Sequence, residues 1–215
     1  MDWGIYFDID GTLISSTADK DEVITTAETF DISIDDEATA TYDHFVAQYF
    51  QRNFSDGYRK ATEKWCTHYG FDIDPAAFTR ELKQQKIENT EPVDDIETVL
   101  STLAEDGQLG ILTNGSGDIQ RAKLERHGID HFFDPILISG ELDTMKPEDE
   151  VFQLAMDVLP AEQHVYIADR LAFDVVPAVE NGLIGVWIAE TACSVADCTI
   201  PSVADLTFET LRAQL

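Results

Sequence analysis

The strongest constraint on the fold is a rhythm of short apolar runs, each leading into a polar turn and then a helical stretch. Residues 3–9 (Trp-Gly-Ile-Tyr-Phe-Asp-Ile), Leu109–Thr113, Pro135–Ile138, His164–Ala168 and Ile184–Ile188 have the length and apolar density of buried strands. Between them, Pro92–Asp106 before Gly107, Gly117–His127 before Gly128, and Pro147–Leu159 before Pro160 combine helical spacing with stop residues. Strand and helix in alternation predict an α/β fold built on a mainly parallel, Rossmann-like sheet.

One interval breaks the rhythm. The path from the first run to the second takes about a hundred residues, whereas a βαβ unit needs roughly thirty. Allowing for the crossover helix from Pro92 leaves Ile14–Glu91. Within it, Asp35–Phe54, Ser55–Tyr69 and Asp74–Lys86 each join a capping residue to apolar spacing of three and four. The expected organisation is a core domain of residues 1–13 and 92–215, with an α-helical cap domain of residues 14–91 inserted after the first strand. A chain of 215 residues has room for that arrangement and not for two large independent domains.

Charge narrows the partners. Against 42 Asp and Glu stand 14 Lys and Arg, a formal net charge of -28 and a pI near 4.1. The acids are spread along the whole chain, as in proteins of extreme halophiles, where concentrated salt shortens the Debye length to about 3 Å at 1 M and quenches self-repulsion. Nucleic acid is excluded as a partner, because no basic stripe exists to neutralise phosphates. The longest strongly apolar run, Leu183–Ala189, is far short of the ~20 residues that cross a bilayer, and no secretory segment opens the chain. No membrane partner and a cytoplasmic location are therefore expected. Cys66, Cys193 and Cys198 include no C-x-x-C pair and fit buried thiols rather than a disulfide framework.

The chemistry-bearing segment is Phe7-Asp8-Ile9-Asp10-Gly11-Thr12-Leu13. It sets two carboxylates two residues apart at the carboxyl end of a strand, the edge where α/β sheets bind ligands. In extended backbone, i and i+2 point to one side, so Asp8 and Asp10 are expected to share a site, with a divalent cation or a shared proton relieving their repulsion. Asp8 would then serve as an ionised nucleophile and Asp10 as a proton shuttle. Gly11 would let the backbone turn closely around a phosphate. A calcium loop does not fit, since its glycine would stand fourth rather than sixth and position twelve is Asp19.

Taken with three later segments, this motif resembles the haloacid dehalogenase-like superfamily. Ile111-Leu112-Thr113-Asn114-Gly115 is similar to its second motif, Met145-Lys146-Pro147 to its third, and Val165-Tyr166-Ile167-Ala168-Asp169 with Asp174 to its acidic fourth. The resemblance spans nearly the whole chain in family order. It implies a phosphoric monoester hydrolase acting on a small phosphorylated metabolite. Thr113 and the amide of Asn114 would hold a phosphate oxygen, and Lys146 would neutralise phosphoryl group and nucleophile. A Mg2+ would sit on Asp8, Asp169 and the backbone carbonyl of Asp10, with Asp174 orienting a metal water or Lys146.

The family motif usually reads Gly-Asp where this chain has Ala168-Asp169, and Arg170 follows. That guanidinium could pair with Asp169 or Asp174, reach a second substrate anion, or face solvent. The presence of Asp10 disfavours carbon–halogen chemistry, and nothing in residues 14–91 compels a sugar-phosphate mutase. A non-catalytic binding protein on the same fold is the alternative from a different class. Tyr49, Arg52, Tyr58 and Arg59 are the cap residues expected to meet a leaving group. The oligomeric state leaves no mark in the sequence.

Overall fold

The structure, a computed structural model, describes residues 2–50 and 56–213. In chain order its strands are β1 (Trp3–Phe7), β2 (Ile14–Ser16), β3 (Thr90–Pro92), β4 (Gly107–Thr113), β5 (Ile136–Ile138), β6 (Gln163–Ala168), β7 (Ile184–Ile188) and β8 (Cys198–Ile200). The helices are α1 (Glu22–Thr29), α2 (Asp36–Phe50), α3 (Gly57–Tyr69), α4 (Pro75–Glu88), α5 (Ile96–Leu103), α6 (Gly117–Arg126), α7 (Asp149–Val158), α8 (Val176–Glu180) and α9 (Phe208–Arg212).

Six strands form one sheet in the order β5-β4-β1-β6-β7-β8, and every pairing in it is parallel. This is the α/β fold expected from the alternating runs. A parallel sheet is covered on both faces, and the side-chain alternation of β1 shows how. Ile5 and Phe7 enter one apolar cluster with Leu109, Ile111, Val165 and Ile167. Tyr6 enters the opposite one with Leu112, Phe152 and Tyr166. The chain builds outward from β1 to β4 and β5, then crosses to the other side of β1 for β6. The carboxyl end of β1 therefore lies at the topological switch, where such sheets leave a crevice.

Among the described residues, the long interval holds four helices rather than the three expected. α1 was read from no sequence pattern, and β2 and β3 are equally unanticipated. These two three-residue strands pair antiparallel, Ile14 with Pro92 and Ser16 with Thr90. Pro92 thus belongs to a strand, and α5 starts only at Ile96, later than the sequence suggested. Helices α1–α4 enclose a third apolar cluster centred on Trp65, Tyr42 and Phe78, none more than 1% exposed. Trp65 lies edge-on to Tyr42, and its Nε1 donates to the Ala38 carbonyl at 2.9 Å. Among the described residues no helix is long and apolar enough to cross a membrane. Cys66 is buried, whereas Cys193 and Cys198 are only half-buried, and all three are free thiols.

Candidate active site

The three central strands end near one another, with the last residue of β1, Phe7, opposite Ile111 and Ile167, beyond which β4 runs two residues further and β6 one. Asp8, Asn114 and Asp169 each follow directly from a strand end, so the sheet itself delivers them to one place. Asp174 arrives from a single π-helical turn, Leu171–Val175, a form often found at functional sites. Asp8, Asp169 and Asp174 each offer an oxygen within 4.8 Å of the other two.

Lys146 closes this acidic group. Its Nζ lies 3.1 Å from Asp8 Oδ1 and 2.6 Å from Asp174 Oδ1, and donates to the Tyr166 hydroxyl at 2.6 Å. An ammonium has three protons, and here each has an acceptor. Tyr166 in turn donates its hydroxyl to the Leu112 carbonyl at 2.8 Å. Burial, reinforced by Asp8 and Asp174, holds its phenol well above its ordinary pKa, so it stays neutral. Lys146 is itself held by Asn114, whose amide clasps its backbone: Nδ2 donates to the Lys146 carbonyl at 2.8 Å, and Oδ1 accepts from the Lys146 N–H at 3.0 Å. The Asn114 side chain is thereby committed to Lys146.

Three carboxylates against one ammonium leave the cluster short of positive charge. Burial pushes the Asp174 carboxyl up to about 6, with Asp8 adding to the rise and Lys146 opposing it. Burial and then Asp8 raise that of Asp169. Asp169 Oδ1 and Asp174 Oδ2 are buried without a hydrogen-bond partner, and orphaned buried oxygens are costly. An all-carboxylate set with free inward oxygens is the donor chemistry that Mg2+ accepts. The residues present therefore fit the ion.

Asp10 departs from the expected geometry. β1 stops at Phe7, so the two-residue alternation that would place Asp8 and Asp10 together does not extend to it. The exposed Asp10 carboxylate is not one of the three that converge. Instead α6 holds it, with Lys123 Nζ 2.5 Å from Oδ1 and Gln120 Nε2 2.9 Å from Oδ2. Gln120 also donates to Thr113 Oγ1 at 3.2 Å, linking Asp10 to the end of β4. Gln120 and Lys123 are buried and were missed in the sequence. Their i, i+3 spacing puts them on one helix face, but a polar pair on a helix ordinarily marks a solvated side.

Gly11 also plays a part different from the one expected. Its φ is +79°, and a Cβ there would lie 2.3 Å from Asp169 Oδ2, so the turn is packed against a carboxylate rather than left open for phosphate. Trp187 fixes the other side of that residue, its Nε1 donating to the Asp169 carbonyl at 2.8 Å. Arg170 is exposed, with its guanidinium 4.6 Å from the centre of the Phe173 ring. Of its three readings this favours the solvent-facing one.

Beside Asp10 a cavity of about 220 Å³ opens between α6 and the helical insert. Tyr58 reaches it, as do Ser16, Glu22, Lys86 and Thr90. Burial opposes the charge on Lys86, but Tyr58 and Glu22 more than restore it, so its pKa is raised. Arg59 is bound instead by Asp56 and Glu63 on its own helix. Tyr49 packs against the helical cluster, and Arg52 lies outside the described residues.

Comparison with known proteins gives the family and the fold. The family profile of haloacid dehalogenase-like hydrolases matches residues 5–187. Over 129 residues the chain is 25% identical to the pyrimidine 5'-nucleotidase YjjG of Escherichia coli, covering 59% of this chain and 56% of that protein. Over 95 residues it is 39% identical to the glyceraldehyde 3-phosphate phosphatase of Methanocaldococcus jannaschii, covering 43% and 42%. The chain thus spans about half the length of these curated relatives. In fold it is similar to the magnesium-bound crystal structure of the putative HAD-hydrolase YfnB of Bacillus subtilis, with a TM-score of 0.73 at 21% identity over 97% of this chain and 98% of the other.

Proposed function

Since the chain belongs to the haloacid dehalogenase-like hydrolase family, we propose that it is a magnesium-dependent phosphatase that hydrolyses a small phosphomonoester through a phosphorylated Asp8. The observation that carries this reading is the buried group of Asp8, Asp169 and Asp174 around Lys146, with two carboxylate oxygens left unsatisfied. Bound Mg2+ would supply the positive charge that lets a phosphate dianion approach the Asp8 carboxylate.

The remaining work falls to side chains of the protein. Asp8 attacks phosphorus, and a bond forms between its carboxylate oxygen and phosphorus as the bond to the departing alkoxide breaks. Asp10 hands the alkoxide a proton, then takes one from the water that splits the acyl phosphate, and inorganic phosphate leaves. Lys146 neutralises the nucleophile, while the Thr113 hydroxyl and the Asn114 amide steady a phosphoryl oxygen. Residues 14–91 act as a cap that excludes bulk water and meets the leaving group. The curated relatives carry different leaving groups, a nucleoside in one and a triose in the other, so the organic half of the substrate must be sought in this chain's own cavity. The acidic composition suits a salt-loaded cytoplasm.

The test is phosphate release from a panel of small phosphomonoesters in molar potassium chloride, with and without Mg2+, for wild type and Asp8→Asn. Mg2+-dependent release that Asp8→Asn abolishes is the expected result. Equal background from two folded proteins refutes the reading and favours a phosphate-binding protein on the same fold.

A further inference from the structure

A chain with so few cations places two of them, Lys86 and Lys123, in the wall of the cavity described beside Asp10. Each is matched to a single carboxylate, Lys123 to Asp10 at 2.5 Å and Lys86 to Glu22 at 3.3 Å. The charged groups of the lining therefore cancel. What remains is mostly hydroxyl and amide, from residues such as Ser16, Tyr58 and Thr90, with Ile119 as the apolar exception.

Among the described residues of this lining, a second anion on the substrate would find no unmatched counter-charge. To reach Lys86 it must displace Glu22, and otherwise it sits against a carboxylate, a juxtaposition that sites use to reject the wrong ligand. A neutral polyol meets neither obstacle. Its hydroxyls can donate to the carboxylates and accept from the ammonium groups while both ion pairs stay intact. The cavity of about 220 Å³ has room for a small polyol.

We propose that the cavity selects an uncharged, hydroxyl-rich leaving group, and that Glu22 enforces the choice by keeping Lys86 neutralised. This rests on the phosphatase reading and specifies its substrate class. Glu22 is a specificity residue from α1, an element with no counterpart in the sequence-level reading.

The experiment compares kcat/KM for glycerol 3-phosphate and 3-phosphoglycerate, which share a carbon count and differ by a hydroxymethyl against a carboxylate. Wild type is expected to favour glycerol 3-phosphate by about tenfold or more, the effect of a like-charge contact. Glu22→Gln releases Lys86 and is expected to close that ratio by about tenfold, chiefly through a lower KM for 3-phosphoglycerate. Because the ratio is taken within one protein, partial unfolding of the variant cancels. A wild-type preference for 3-phosphoglycerate, or a ratio unmoved in Glu22→Gln, overturns the proposal. If p-nitrophenyl phosphate is turned over in an Asp8-dependent way but neither glycerol derivative is, the selectivity proposal fails while the phosphatase stands. No Asp8-dependent release from any ester removes both.

Discussion

Asp169→Asn isolates the electrostatic strain that the site carries before any cation binds. Two carboxylate oxygens 4.8 Å apart, the outer bound for this cluster, repel by about 3 kcal/mol at an effective dielectric of 20. Asp169 is only half-buried, and solvent screening reduces its share to about 1–2 kcal/mol. The sign follows from linkage. Burial and Asp8 raise the Asp169 pKa in the folded state, so folding is disfavoured above that pKa, and the penalty fades as pH falls toward the unfolded value near 4. Asp174, pushed up to about 6, adds a penalty of the same sign. Metal-free wild type should therefore gain stability between pH 7 and pH 5, and Asp169→Asn should be the more stable protein at pH 8. For a chain of this size the gain is about 3–6 °C in Tm. Because the pair is partly buried, molar potassium chloride weakens the effect without erasing it. Thermal melts at pH 4 to 8, in chelator and in millimolar Mg2+, measure all of this. Mg2+ should raise the wild-type Tm by ligand linkage and the variant's far less. A variant less stable at pH 8, or one shifted by Mg2+ as much as wild type, would refute the reasoning.

Two further outcomes are expected. Lys123→Met removes one of the two α6 groups that hold the Asp10 carboxylate and should lower kcat by about tenfold or more for an alkyl phosphate, whose leaving oxygen needs a proton. The loss for p-nitrophenyl phosphate should be smaller, because its phenolate departs unaided, and equal losses on the two substrates would remove Asp10 from proton transfer. Trp65→Ala should cost about 3–5 kcal/mol of local stability, seen as faster amide exchange in α1–α4 while β1, β4 and β6 keep their protection. Uniform loss of protection would mean that the helical insert and the sheet unfold as one unit.

The buried strands were legible because a parallel sheet covered on both faces leaves no polar alternation to blur the apolar runs. Asp8, Asp169 and Lys146 were legible for a related reason, since each stands where such a run or a helix begins or ends. What escaped was short or indirect. β2, β3 and β8 have three residues each, and unlike the equally short but wholly apolar β5 they include polar residues. Asp10 was grouped with Asp8 by strand geometry, but the strand ends at Phe7, before either residue. Gln120 and Lys123 could be assigned only once α6 was known to face the loop after β1. Glu22 and Lys86 are 64 positions apart in sequence, and only tertiary packing reveals that they neutralise one another.

The β2–β3 ribbon has a consequence for how such a protein can change over time. Ser16 and Thr90 face each other as one antiparallel rung, so to the parallel sheet everything from residue 17 to residue 89 is the loop of a hairpin. Such a loop can lengthen, shrink or be exchanged without shifting the register of β1 or β4. The residues that would break the phosphate bond sit on the sheet side of that rung, while Glu22, Tyr58 and Lys86 sit on the other. Selectivity can thus drift, or be grafted from another chain, while the chemistry beneath it stays fixed.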